Sequence, residues 1–281
     1  MDSNQIPPVI SAPAVETAIA RWRWWVHLLI LSSFPLSAGV LGILMSHGRA
    51  ALLPVSVPAL EWVLARELIF FAGIFVVAWV FSRVNRRQLL LKWHGGALPV
   101  LWGGAYSVAL RLLIMVLATT AIIFWVLFKK MLAGDHAPGL EHQVLRPQIE
   151  HLVDMNALTT NPVYFVLMLT VVSFVLGGLR EELWRAAMFA GCSALFPRGM
   201  STSAGKAVAI VAVAIVFGLG HTAQGWMGVG VITALGIGLG AIMLWHRSIW
   251  EAAMAHGFFD ATTFVFIYAI VKYRPHQIPG L

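Results

Sequence analysis

Long apolar runs decide what this chain can become. They fall at roughly 21–46, 60–82, 98–128, 162–196, 207–224, 229–246 and 249–271, and a helix needs ~20 such residues to cross ~30 Å of hydrocarbon. Backbone N–H and C=O groups find no water at that depth, so the runs must satisfy themselves as helices. Two runs, 98–128 and 162–196, exceed a straight crossing and must tilt, project beyond the bilayer or be broken. The pattern predicts an all-α polytopic integral membrane protein with about seven or eight transmembrane helices. Composition agrees. Of 281 residues 11% are charged and 59% hydrophobic, whereas soluble domains carry about 25% charged residues. That excludes an ordinary soluble enzyme, and the same hydrophobicity excludes a disordered chain.

Residues 1–20 contain Pro and Ser and read as an N-terminal arm, with 21–281 as one membrane domain. Arg21 to Trp25 (RWRWW) resembles the start of a secretion signal. The apolar core behind it is too long, lacks a small-residue cleavage site and precedes further spans, so it is read as the first span. Trp22, Trp24 and Trp25 suit the bilayer interface. The net charge is +7, but the basic residues lie between apolar runs, where anionic headgroups and orientation account for them. No nucleic-acid-binding motif is present, and no nucleic-acid partner is expected. If seven spans alternate, Arg21, Arg23, Arg83, Arg86, Arg87, Lys92, Arg198, Lys206 and Arg247 share one side. Arg49, Lys129, Lys130, Arg146, Lys272 and Arg274 share the other, so the positive-inside rule puts the N-terminus in the cytoplasm. The lone Cys192 permits no internal disulfide. Late glycines such as Gly218, Gly236 and Gly240 let helices approach closely or leave room for a substrate chain.

Ionisable groups inside such runs are costly unless paired or wetted, so each is a functional candidate. Three sets stand in the C-terminal half. In REELWR (180–185), Glu181 and Glu182 lie ~100° apart on a helix, and Arg185 is spaced to reach either. The alternative is a short loop between two half-length helices. FGLGH places His221 near a span end, where it can equally be an interfacial or packing residue. HGFFD places His256 and Asp260 on one helix face, as a site or as a self-satisfied structural pair. Taken together, carboxylates and histidines on three late helices can activate water at an amide bond and stabilise an oxyanion. The same His and Glu inventory can bind zinc, although no HExxH is present.

At these residues the sequence resembles the CPBP family of intramembrane proteases, also called the CAAX-protease and bacteriocin-processing (Abi) family. The carriers are Glu181–Glu182 with Arg185, Phe217–Gly–Leu–Gly–His221 and His256–Gly–Phe–Phe–Asp260, over about 160–265. Two departures stand out: one residue fewer separates Glu182 from Arg185, and Asp260 replaces Asn. The resemblance implies an Rce1-like catalytic core in the C-terminal half. It also implies an intramembrane endopeptidase acting on a membrane-embedded or lipidated protein or peptide, in the inner (cytoplasmic) membrane of a bacterium. It gives Glu181 and His221 the nucleophilic water, Glu182 and Arg185 the shaping of the site, and His256 with Asp260 the tetrahedral intermediate. If the chemistry is metal-dependent, Glu181, His221 and His256 would hold Zn2+; without a dedicated zinc signature, metal-independent chemistry is expected. Competing classes are an inactive scaffold or immunity protein of the same fold, and a proton-coupled transporter, which lacks its usual repeats here. Among other charges, Arg111 is expected to pair with Glu67 or line the cavity. Glu251, His27 and His94 are expected near interfaces, and Asp135, His136, Glu141, His142, Glu150, His151 and Asp154 in a polar loop.

Overall fold

The computed structural model describes residues 19–45, 52–133 and 147–273. Nearly all of the N-terminal arm, together with Arg49, Asp135, His136, Glu141, His142, Arg146 and Arg274, falls outside them. Among the described residues, seven apolar columns follow one another. They are α1 (Arg21–Met45), α2 (Val57–Ser82), α3 (Leu98–Ala133), a composite column from Pro162 to Leu195, α8 (Ser203–Leu219), α9 (Gly225–His246) and α10 (Trp250–Tyr273). Between them lie short helices, α4 (Met155–Thr160) and α7 (Pro197–Met200). Among the described residues six columns are long and apolar enough to cross a membrane, against the seven or eight spans expected. The difference is α8, whose 17 residues reach only ~25 Å at ~1.5 Å per residue. Lipid is the natural solvent for the outer faces, where Leu29, Trp62 and Trp245 are 76%, 68% and 84% exposed.

Local chemistry sets the boundaries. Asp154 caps α4 by accepting from the Ala157 N–H at 2.7 Å. Asn161 caps the next helix by accepting from Val163 and Tyr164, with Pro162 in the first turn. Asp154, expected among loop charges, is thus a helix cap, and His151 Nδ1 lies 3.1 Å from the Ala223 carbonyl. The long α3 is one unbroken helix of 36 residues, long enough to project beyond the bilayer or tilt in it. The other long run is broken internally instead. It comprises α5 (Pro162–Leu167), a π-helix (Met168–Glu181) and α6 (Glu182–Leu195) in one column.

Columns alternate in direction. At one end Arg21 donates to the Leu195 carbonyl at 3.0 Å, Arg23 to the Val80 carbonyl at 2.8 Å, and the Ile249 N–H to the Leu90 carbonyl at 3.0 Å. At the other, the Leu52 N–H meets the His151 carbonyl, the Gln148 N–H meets the Gln224 carbonyl, and Thr222 donates to the Gly39 carbonyl. The π-helix packs closely on α10. A Cβ at Gly177 would collide with the Asp260 carboxylate, one at Gly178 would come 2.7 Å from the Ala253 carbonyl oxygen, and one at Gly257 would meet the Phe174 ring. These approaches bring the charged segment of the composite column against His256 and Asp260.

Candidate active site

The junction between the π-helix and α6 separates the two glutamates. Glu181 ends the wide helix, Glu182 begins the narrower one, and their carboxylates go to different surroundings. Glu182 is fully buried. Its Oε1 takes an N–H from Arg185 Nη1 and lies 2.9 Å from His256 Nδ1. Arg185 is also fully buried, its guanidinium 4.6 Å from the Phe217 ring centre. Of the two glutamates that its spacing can reach, Arg185 therefore takes Glu182. Glu181 is held by Arg180 instead, whose Nη2 donates to Oε1 at 2.7 Å.

Glu181 lines a cavity of about 100 Å³ whose other polar walls are Glu67, Arg180 and His221 and whose apolar walls include Phe34, Trp184 and Phe217. His221 stands just past the end of α8. Its Nδ1 donates to the Phe217 carbonyl at 3.0 Å, and its ring packs 4.8 Å from the Phe217 ring. A neutral ring with its proton on Nδ1 has a free lone pair on Nε2. Phe217 thus serves His221 through its carbonyl and Arg185 through its ring.

His256 and Asp260 are not among the residues that line this cavity. The Nδ1–H of His256 donates to Glu182, and its Nε2 lies 3.7 Å from both Glu181 Oε2 and Asp260 Oδ2. Glu181, Glu182, Arg185, His256 and Asp260 thus lie in one connected polar group, and His221, the sixth expected residue, shares the cavity wall with Glu181. Arg180 and Glu67 join it as well. Each is a charge inside an apolar run, a signal that was present in the sequence.

Other expectations change. Arg111 does not pair with Glu67. Its Nη2 donates to the Phe259 carbonyl at 2.5 Å and to the Thr262 and Thr263 hydroxyls at 2.7 and 3.0 Å, and its guanidinium stacks on Phe259. Glu67 instead lies 3.7 Å from Arg180. His27 is buried between the carbonyls of Ala78 and Ala187, at 3.1 and 3.0 Å. Glu251 is buried too, and His94 Nδ1 lies 2.9 Å from its Oε1. His246 extends that second cluster to the Tyr106 hydroxyl at 2.8 Å. A polar group at a helix end can be covered by a neighbouring loop, and residues 83–97 do so here.

Glu181, His221 and His256 are the residues that would hold Zn2+ if the chemistry were metal-dependent. Among the described residues, no three His, Cys, Asp or Glu side chains are grouped so as to hold a metal ion. As placed here, these three side chains do not form a metal-binding donor set.

The fold and this buried cluster define an integral helical membrane protein with an ionisable site inside its span. Residues 162–262 match the family model described as Type II CAAX prenyl endopeptidase Rce1-like, so the stretch holding both glutamates and both histidines is an Rce1-like domain of the CAAX protease superfamily. Neither a curated protein nor a solved structure matches the chain.

Proposed function

We propose that the protein is an intramembrane endopeptidase that hydrolyses a peptide bond in a membrane-embedded or lipidated protein or peptide by activated water. The observation that carries this reading is that Glu181 and His221, from different columns, line the same cavity. A water there meets a carboxylate base and, across it, an imidazole Nε2 whose lone pair is kept free by the bond at Nδ1. Glu182, Arg185 and His256 act as positioning residues. They fix the helix junction from which Glu181 projects, and His256 Nε2 faces the rear of the Glu181 carboxylate. Asp260 holds His256 from the next turn of α10.

The test uses purified protein in detergent micelles with a quenched-fluorescence peptide library, the cleaved bond being located by mass spectrometry. Glu181→Gln and His221→Ala should each lower kcat/KM by at least about a hundredfold, the lower end of a general acid–base contribution, with the elution profile unchanged. Equal cleavage by all three proteins would sink the reading. Because the donor set does not group around one ion, a strong chelator should leave the wild-type rate unchanged. Loss of activity restored by added zinc would show that the side chains rearrange around a metal.

A further inference from the structure

Arg180 shares the cavity wall with Glu181 and His221. Its guanidinium is held from both sides, by the Nη2 bond to Glu181 and by a contact of 3.7 Å from Nη1 to Glu67 Oε2 on α2. That second contact is longer than a hydrogen bond, so Nη1 keeps N–H capacity. The Phe34 ring centre lies 5.5 Å from the guanidinium carbon, and the side chain is only 13% exposed. A fixed cation in such surroundings acts far more strongly than one in water.

Peptide hydrolysis places a negative charge on the carbonyl oxygen, and few other groups can receive it. His256 has its Nδ1–H committed to Glu182, its Nε2 lies 3.7 Å from both the Glu181 and Asp260 carboxylates, and neither His256 nor Asp260 lines the cavity wall. An ionised carboxylate at 260 offers only acceptors. His221 spends its Nδ1–H on the Phe217 carbonyl.

We infer, resting on the hydrolytic reading above, that Arg180 is the catalytic residue that stabilises the oxyanion of the tetrahedral intermediate. Water attacks the carbonyl carbon: its oxygen forms the new C–O bond and one of its protons passes to Glu181. The carbonyl π pair moves onto the carbonyl oxygen. Glu181 loses its charge in that step, so Arg180 gives up one anionic partner as another forms beside it. On collapse the pair re-forms the C=O bond, the C–N bond breaks, and the proton on Glu181 passes to the leaving nitrogen. The guanidinium is bound to a carboxylate at rest and to an oxyanion in the transition state, without leaving the cavity. Glu67 is the positioning residue that keeps Nη1 turned away from Glu181.

The experiment compares wild type, Arg180→Lys and Arg180→Gln on the cleaved peptide, and measures Ki for a phosphinic analogue of that peptide, whose tetrahedral oxygens mimic the oxyanion. Arg180→Gln should lower kcat by about 10²–10³ with KM little changed, the size of loss seen when an oxyanion donor is removed. Its phosphinate Ki should rise in step with the loss in kcat/KM. Arg180→Lys keeps the charge without the fork, keeps the inference testable should the Gln variant fail to fold, and should give a kcat between those of wild type and Arg180→Gln. Wild-type kcat in either variant, or a loss confined to KM with Ki unchanged, overturns the assignment. If Glu181→Gln abolishes cleavage while Arg180→Gln does not, the hydrolytic reading stands and this inference falls. If Glu181→Gln cleaves like wild type, both fall.

Discussion

Glu182 and Arg185 carry opposite charges and are both fully removed from solvent. Desolvating such a pair costs several kcal/mol, so its value to stability depends on both partners being present. Glu182→Gln leaves the Arg185 guanidinium over Phe217 without its anion and puts a neutral amide where the carboxylate faced His256 Nδ1. The expected loss is about 3–5 kcal/mol, read from unfolding in mixed micelles. A second change, Arg185→Met, made on top of the first, should recover part of it by removing the uncompensated cation. A loss below about 1 kcal/mol for the single variant would place the pair among ordinary solvated ones. The identity of these residues was legible beforehand because each is a charge in an apolar run. Their pairing was not. Spacing allowed Arg185 either glutamate, and only the change of helix type between Glu181 and Glu182 decides which one faces the interior. Arg111 shows the same gap: its partners sit on α10, and nothing in sequence separation points there.

Pro35 interrupts α1, and the effect reaches the site through one hydrogen bond. Proline has no N–H to give to the carbonyl four residues back, so the Leu31 carbonyl lacks its usual helical donor. The Trp184 indole N–H fills that role at 2.9 Å, from α6 and one turn beyond the paired glutamates. In hydrocarbon an unpaired carbonyl has no water to turn to. The α1 wall, which gives Phe34 and Pro35 to the cavity, is therefore pinned to the helix that carries Glu182. Trp184→Phe keeps an aromatic ring but orphans the carbonyl, and should cost about 1–3 kcal/mol. In a Pro35→Ala background, residue 35 regains an N–H for Leu31, so the same substitution should cost measurably less. Equal costs in the two backgrounds would show that the indole contributes by packing alone. Neither the π-helix nor this bond could be read from the sequence. Apolar periodicity does not distinguish a π turn from an α turn, and the bond joins residues 153 positions apart.

Across the whole molecule, the columns place basic residues unequally. Arg21 and Arg23 open α1, Arg83, Arg86, Arg87 and Lys92 follow α2, and Arg198, Lys206 and Arg247 fall at the same end. The described residues Lys129, Lys130 and Lys272 lie at the other. This grouping was accessible from the sequence because it requires only that columns alternate, and α8 alternates although it is short. The number of full crossings was not accessible, since it depends on where α8 starts and stops, to within a turn. Lys and Arg near span ends stay preferentially on the cytoplasmic side, so the end carrying Arg87 should face the cytoplasm and α10 should finish on the other side. With Cys192 replaced by Ala, single cysteines at Arg87 and Asn156 report the two ends, both positions being exposed. In intact cells a membrane-impermeant maleimide should label Asn156→Cys at once and Arg87→Cys only after the membrane is opened. The reverse pattern would mean that charge asymmetry does not orient this chain, and that the cavity between α1, α2 and the end of α8 belongs to the cytoplasmic half of the bilayer.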